Sequence, residues 1–598
     1  MIVVLSDLHL QHTTHDGIRR RDGAKVLVTE VLRNVGASAL ETLAGEIENS
    51  VEATGATSIE LVFAGDVFEM HRTPYWLLGG RTLRPTHTRA SAELCGATLE
   101  ILELIATECA GFFAALRKIG TTGVAGIPVI THFLPGNHDR LVNEFPEARA
   151  RVRELLCVRA PNGDPEAPFP HVLDWPRSTG YGVRVRHGHE YDVQNFPIAF
   201  EPEQCEPVEE MYRQPVLGDW ASVELCTRLA VSFRAHYARE LRSASPSGDA
   251  YRRIYAALAE FDDVRPQSAL VRYLADAVHG TESTAFELLR PILRDIHETA
   301  ARDAFLVGEM TRLGHAALFS GVVAPMVDEA LATFPAPLVA KLMEVFDSLE
   351  SEGEGPAHFA ALESGLESGI IDLVVAGHTH QPDQVALPGH GGAIMDAAYF
   401  VDSGTWRTRV DSGRRRAFGR LRSYTTVFCY HDDESTRGER RRFETWTGHL
   451  RSTEFGPRFD VLARARSAAP VTQTIEFLSC AVERIDEGDT RDGAELKLTF
   501  GVDAASASAS FVDVHDGDVL SLGGTKLEVD PHLDGELWCF GVEHDSGVFF
   551  DVDDPIPWAV DFLPRDADEA FQQRSGKLRA SDARGDAYVI TYEVLLKE

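Results

Sequence analysis

Positive charge is scarce in this sequence. Lys and Arg total 58 against 92 Asp and Glu, a formal net charge of −34 over 598 residues. So acidic a surface repels duplex nucleic acid and anionic lipid headgroups, and any phosphate-bearing partner needs a local positive element. Long apolar runs are missing as well: nothing approaches the ~20 residues that cross a bilayer. The apolar start Met1–Ser6 runs straight into Asp7 and His9, with no basic n-region and no small-residue cleavage site. Cysteine is sparse and scattered. Cys95, Cys109, Cys157, Cys205, Cys226, Cys429, Cys480 and Cys539 form no C-x-x-C pair and read as small core residues. The expectation is a reduced, cytoplasmic protein without a transmembrane segment.

What is present is ordinary for a globular chain, 44% hydrophobic and 25% charged, and long enough for several domains. Residues 1–195 alternate short apolar runs with helical patterns, which predicts an α/β unit. Strands are expected at Ile2–Ser6, Leu61–Gly65, Val129–Leu134 and Val183–Arg186, with helical spacing over Lys25–Ala53 and Arg89–Ile119. Residues 196–370 change character and read as a helical insertion, in segments such as Trp220–Arg242, Ala285–Leu313 and Pro337–Leu349. The α/β pattern resumes over 371–430, with Leu373–Ala376, Phe400–Asp402 and Thr425–Tyr430 as strands. Residues 431–470 read as a linker, and 471–598 alternate between Gly/Asp turns like a separate β-sandwich.

Five short motifs each end a probable strand: Ser6-Asp7-Leu8-His9, Gly65-Asp66-Val67-Phe68-Glu69, Gly136-Asn137-His138-Asp139-Arg140, His187-Gly188-His189 and Gly377-His378-Thr379-His380. Strand ends at one edge of an α/β sheet are where ligand sites gather. Carboxylate, amide and imidazole donors without thiolate suit Mn²⁺, Fe or Zn²⁺. Seven such ligands are too many for one ion and suit two held ~3.5–4 Å apart. His187 directly follows its strand and fits a ligand position, whereas His189 lies further into the loop.

This ordered set resembles the calcineurin-like metallophosphoesterase superfamily, whose pattern is D-x-H, G-D, G-N-H-D/E, H and G-H-x-H. The resemblance covers about residues 1–195 and 371–430. It implies a four-layer αββα core, here with a large helical insertion and a β-sandwich-like C-terminal domain. It also implies two divalent metal ions, Mn²⁺ foremost, with Fe, Zn²⁺ or Ni²⁺ as alternatives. Asp7, His9 and His380 would hold one ion, and Asn137, His187 and His378 the other, with Asp66 between them. The implied reaction is hydrolysis of a phosphodiester or pyrophosphate bond by a hydroxide held between the ions. His138 would protonate the leaving group or steady the phosphoryl oxygens, oriented by Glu69 three residues after the bridging aspartate.

The motif wording, together with Ser403-Gly404-Thr405-Trp406, is most similar to the branch containing UDP-2,3-diacylglucosamine pyrophosphatases. That branch also inserts helices between its fourth and fifth motifs, so a helical lid over a small nucleotide-like or conjugate substrate is expected. Between Arg407 and Arg442 lie eleven arginines and no lysine. Guanidinium grips phosphate bidentately, and Arg140, His189, Arg407 and Arg414 are the expected substrate contacts. The alternative activity is a nuclease on short or single-stranded nucleic acid; a non-catalytic scaffold would be expected to have lost ligands. The C-terminal domain is expected to mediate partner binding or self-association, and its loop aspartates (Asp513, Asp516, Asp518, Asp551, Asp553 and Asp554) offer a Ca²⁺ alternative.

Overall fold

The computed structural model describes residues 1–595 except 14–16, 23–24, 32, 88–90, 202–206, 244–245, 266–268, 270–271, 274–281, 314–354, 388–397, 413–417, 435–441, 454–460, 468–471, 485–493, 545–553, 564–574 and 582–586. Two mixed sheets make an α/β unit. The first runs in the order Val129–Leu134, Ile59–Ala64, Ile2–Leu5, Phe418–Cys429, Thr408–Ser412, Val264–Arg265, with Phe443–Thr453 also paired to Phe418–Cys429. The second runs Asp383–Leu387, Ala398–Asp402, Leu373–Ala376, Val183–Arg186, Val172–Trp175.

The central strands Ile2–Leu5 and Leu373–Ala376 are short, apolar and rich in β-branched residues, and each buries both faces. Ile2, Val4, Val62 and Val427 of the first sheet share one apolar cluster with Val183, Val185, Val375 and Val401 of the second. On its other face the first sheet presents Val3, Leu5, Leu61 and Phe63 to the helices Ala37–Thr54, Ala92–Glu108 and Ala110–Thr122. The outer face of the second sheet is covered more thinly. There Val374, Ala376 and Phe400 meet Tyr191, Phe200 and the short Pro356–Ala360 helix.

Three stretches depart from the sequence expectation. Lys25–Val31 is a strand, not the start of a helix, because the β-branched positions Val26, Val28, Thr29 and Val31 favour a pleated backbone. The helix begins only at Ala37. The Lys25–Val31 strand pairs antiparallel with Val461–Ser467, inside the stretch read as a linker, and that stretch also carries Phe443–Thr453. The helical insertion is likewise not purely helical: its Val264–Arg265 strand pairs in parallel with Thr408–Ser412 and closes the first sheet. Pro337–Leu349 lies outside the described residues.

The C-terminal part forms two four-stranded antiparallel sheets that share a single core, with Ile475, Phe477 and Ile590 on one side and Leu498, Phe500 and Leu537 on the other. The core is not isolated from the rest of the chain. Trp538 and Val560 join the apolar cluster of the α/β unit, and Arg242 of the insertion makes ion pairs with Asp503, Asp534 and Glu536. Of the loop aspartates considered for Ca²⁺, Asp518 instead caps its own turn by accepting from the His515 N–H at 2.8 Å.

Candidate metal centre

Parallel register brings the five motifs to one edge. Leu5 stands opposite Phe63 and Ala64 opposite Leu134, while Asp402 stands opposite Ala376 in the second sheet. Each strand therefore ends at the same level, and the polar residues that follow are thrown into a common space. The turns there are tight. Asp7, His9, Asp66, His378 and His380 are five of the nine non-glycine residues with positive φ among the described residues. Such backbone costs of order 1–3 kcal/mol per residue and persists where the surroundings over-determine it, as at binding sites.

Two motif glycines are there for close approach. A Cβ on Gly136 would lie 2.2 Å from Asp66 Oδ1, and one on Gly377 would lie 2.3 Å from Asp7 Oδ2. No larger residue fits without displacing the carboxylate beside it.

The side chains form two adjoining groups, Asp7–His9–His380 and Asp66–His187–His378, each with donor atoms close enough to share an ion. In the first, His9 Nε2 stands 3.0 Å from His380 Nε2, and Asp7 Oδ1 lies 3.4 Å from the latter. Asp7 Oδ1 is buried with no aligned hydrogen-bond donor. In the second, His187 Nε2 lies 3.2 Å from both Asp66 Oδ2 and Asn137 Oδ1. Asp66 Oδ2 is also 3.7 Å from His9 Nε2, so this carboxylate stands between the groups. The His187 Nδ1–H donates to Ala64 O at 2.9 Å, which leaves Nε2 free to act as a ligand.

His189 is not part of either group. It is buried against the rings of Phe196 and Tyr212, and burial above all pushes its imidazole down to about 3. His187 behaves oppositely. Burial alone would lower it, but the charges of Asp66 and Asp7 prevail and raise it to about 10. That attraction for a cationic form is what a concentrated carboxylate field offers any cation.

Glu69 is wholly buried and touches two histidines. Its Oε1 accepts from His138 Nδ1 at 2.7 Å and its Oε2 from His9 Nδ1 at 2.9 Å. Burial would raise its carboxyl, but Arg72 and His138 outweigh this and hold it well below the usual range. His138 is the most exposed member of this trio, and it is raised because Glu69 and Asp66 overcome the cost of burial.

The arginines fall elsewhere than expected. Arg140 is buried and committed to Asp219 Oδ2 at 3.0 Å and to the carbonyls of Pro85 and Arg213. Arg407 is buried behind Glu69, with Nη2 3.0 Å from both Asp262 and Asp263. Both guanidiniums lie among buried carboxylates, which they neutralise instead. Arg414 lies outside the described residues. Two other guanidiniums stand beside the cluster: Arg72 Nη2 is 3.0 Å from His9 Nδ1, and Arg265 Nη2, on the insertion's own strand, is 3.5 Å from His380 Nδ1.

Sequence reading also missed Asp192, whose Oδ2 accepts from His378 Nε2 at 3.1 Å and so orients that ring. Its position five residues after His187 was the only available signal. No protein-family model matches the chain, and no curated protein matches it.

Proposed function

We propose that this chain is a phosphoesterase of the calcineurin-like metallophosphoesterase kind. It cleaves a phosphodiester or pyrophosphate bond in a small nucleotide-like or conjugate substrate with two divalent cations, Mn²⁺ foremost. One observation carries the reading. Oxygen and nitrogen ligands from five separate strand ends converge in two adjoining groups with Asp66 between them, on backbone strained at five of the ligands. The layering of helices, two sheets and a thin outer cover supports it.

The donor set fits cations. A buried Asp7 oxygen without a donor, beside two imidazole nitrogens that face one another at 3.0 Å, is a donor set that a metal ion satisfies. Asp7, His9 and His380 would hold one, Asn137, His187 and His378 the other, and Asp66 both. When bound, the cations supply Lewis acidity, bringing the pKa of a water towards neutrality and neutralising phosphoryl oxygens.

The protein does the rest by position. Glu69 fixes the His138 ring through Nδ1, so Nε2 is the nitrogen left for the substrate. As the water oxygen bonds to phosphorus and the bond to the leaving oxygen breaks, His138 gives its proton to that oxygen; the proton of the water passes to solvent. The chain's −34 charge disfavours long nucleic acid but not a small phosphoester drawn to paired cations.

The test is metal analysis of the purified protein together with turnover of bis-p-nitrophenyl phosphate, nucleotide pyrophosphates and oligonucleotides. Two equivalents of metal and turnover abolished in Asp66→Asn are expected. His138→Ala should retain metal and lose about 10²–10⁴ in kcat. Inertness across Mn²⁺, Fe²⁺, Zn²⁺ and Ni²⁺ would refute the proposal. Strongly salt-dependent preference for oligonucleotides would instead indicate a nuclease.

A further inference from the structure

One residue of the insertion reaches the groups behind the site. Asp262, its side chain 8% exposed, meets three guanidiniums. Arg33 Nη2 donates to both of its oxygens at 2.7 and 2.8 Å, Arg407 Nη2 lies 3.0 Å from Oδ2, and Arg72 Nη1 also donates to Oδ2. Arg72 is two-sided. While Nη1 holds Asp262, Nε donates to Glu69 Oε2 at 2.7 Å, and the Arg72 backbone N–H donates to Oε1 at 2.9 Å. Glu69 Oε1 is the atom that holds His138. The other charged neighbours complete the balance: Asp263 is paired with Arg407 at 3.0 Å, so three carboxylates face three guanidiniums. Burial alone would raise the Asp262 carboxyl, but Arg33, Arg72 and Arg407 hold it well below its usual range.

We infer that Asp262 is a positioning residue for His138, acting through Arg72 and Glu69, so that the insertion is a working part of the active site rather than a detachable cover. This rests on the phosphoesterase reading. Without Asp262 the Arg72 guanidinium keeps only Glu69 Oε2 at 2.7 Å and the His9 Nδ1 at 3.0 Å, both on its site side, and shifts toward them. Glu69 then follows Arg72 instead of holding the imidazole, and proton delivery to the leaving oxygen suffers before binding does.

The test uses the full chain loaded with Mn²⁺ and two esters that differ in their need for a proton. Nitrophenolate leaves readily without one, whereas phenolate from diphenyl phosphate does not. Asp262→Leu, similar in size and unable to accept, should lower kcat on diphenyl phosphate about a hundredfold, the scale of a general acid's contribution. Its kcat on bis-p-nitrophenyl phosphate should fall less than about fivefold, with KM and metal content unchanged. Asp262→Leu/Arg33→Met restores charge balance in the buried cluster but still lacks the Arg72 anchor. It should show the same discrimination, and it decides the question if the single variant does not fold. Equal losses on both esters, no loss on either, or recovery of diphenyl phosphate turnover in the paired variant would each overturn the inference. Failure of the wild type on both esters would instead remove the phosphoesterase reading itself.

Discussion

His9 and His380, 371 residues apart in the chain, bring their Nε2 atoms to 3.0 Å beside the donor-free Oδ1 of Asp7. The two ring nitrogens share a hydrogen bond in which one donates and the other accepts, which leaves the buried Asp7 Oδ1 without a donor. A cation bound there stabilises the folded chain by mass action.

Stripping metal with a chelator is therefore expected to lower the temperature of the first unfolding transition, and Mn²⁺ in excess should restore it. At a thousandfold excess over Kd, binding to the native state alone contributes about 4 kcal/mol. Calorimetry with and without chelator checks this. The Asp66→Asn variant should be insensitive to the chelator, and an equal shift in that variant would refute the assignment.

The two close-approach glycines give a test that leaves every ligand in place. In Gly136→Ala the new methyl would meet Asp66 Oδ1 and the Asp66 backbone nitrogen, so the carboxylate between the groups must move. Metal content and turnover should both fall at least about tenfold, the effect of a ligand shifted by a fraction of an ångström. Gly96→Ala, in the Ala92–Glu108 helix with no atom within 4 Å of the added carbon, is the control. It should keep full metal and gain up to about 1 kcal/mol of stability.

The candidate site was legible in sequence because its members sit in short motifs, each at the end of an apolar strand. Val129–Leu134, Val183–Arg186 and Leu373–Ala376 occur with the expected boundaries, since β-branched runs stopped by polar turns leave little alternative. Glu69 stands beside His138 as the family resemblance implied, three residues after Asp66. What lay beyond reach depends on distant contacts. Asp192, Asp262 and Arg265 carry no local pattern, and their importance comes only from what the fold places against them. Arg407 shows the converse. Its arginine-rich surroundings suggested an exposed grip, but burial beside Asp262 and Asp263 makes it a counter-ion.

Arg265 is the guanidinium to test for a phosphate contact in place of the arginine run. Its Nη1 is anchored by the carbonyls of Asp262 and Val264, at 2.6 and 3.0 Å, which presents Nη2 beside His380. Arg265→Ala is expected to raise KM for a phosphoester about tenfold while changing kcat less than twofold, as loss of one charge-assisted hydrogen bond predicts. Arg265→Lys should recover part of the affinity. An unchanged KM with lowered thermal stability would mean the guanidinium serves only those carbonyls.

The C-terminal sheets are tied to the insertion by a compact buried charge cluster. Arg242 Nη2 lies 3.2 Å from Asp503, 2.9 Å from Asp534 and close to Glu536, while Arg234 Nε reaches Glu536 at 2.9 Å. These three carboxylates could themselves hold a cation, but two arginines already occupy that role. Burial, followed by the charges of Asp534 and Glu536, raises the Asp503 carboxyl from 3.8 to about 6 against the pull of Arg242. A carboxyl raised on folding favours the protonated native state. Its penalty is absent below pH 4 and grows as pH rises to about 6, where the folded-state group has ionised. Arg242→Met removes the attraction and moves the upper end of that window higher. The variant should lose about 3–5 kcal/mol near neutral pH, the cost of leaving buried charge unpaired, and distinctly less at pH 5. Adding Asp503→Asn should recover part of the loss at pH 8 and little at pH 5. Urea unfolding at the two pH values checks the sign, and a deficit larger at pH 5 than at pH 8 would contradict it.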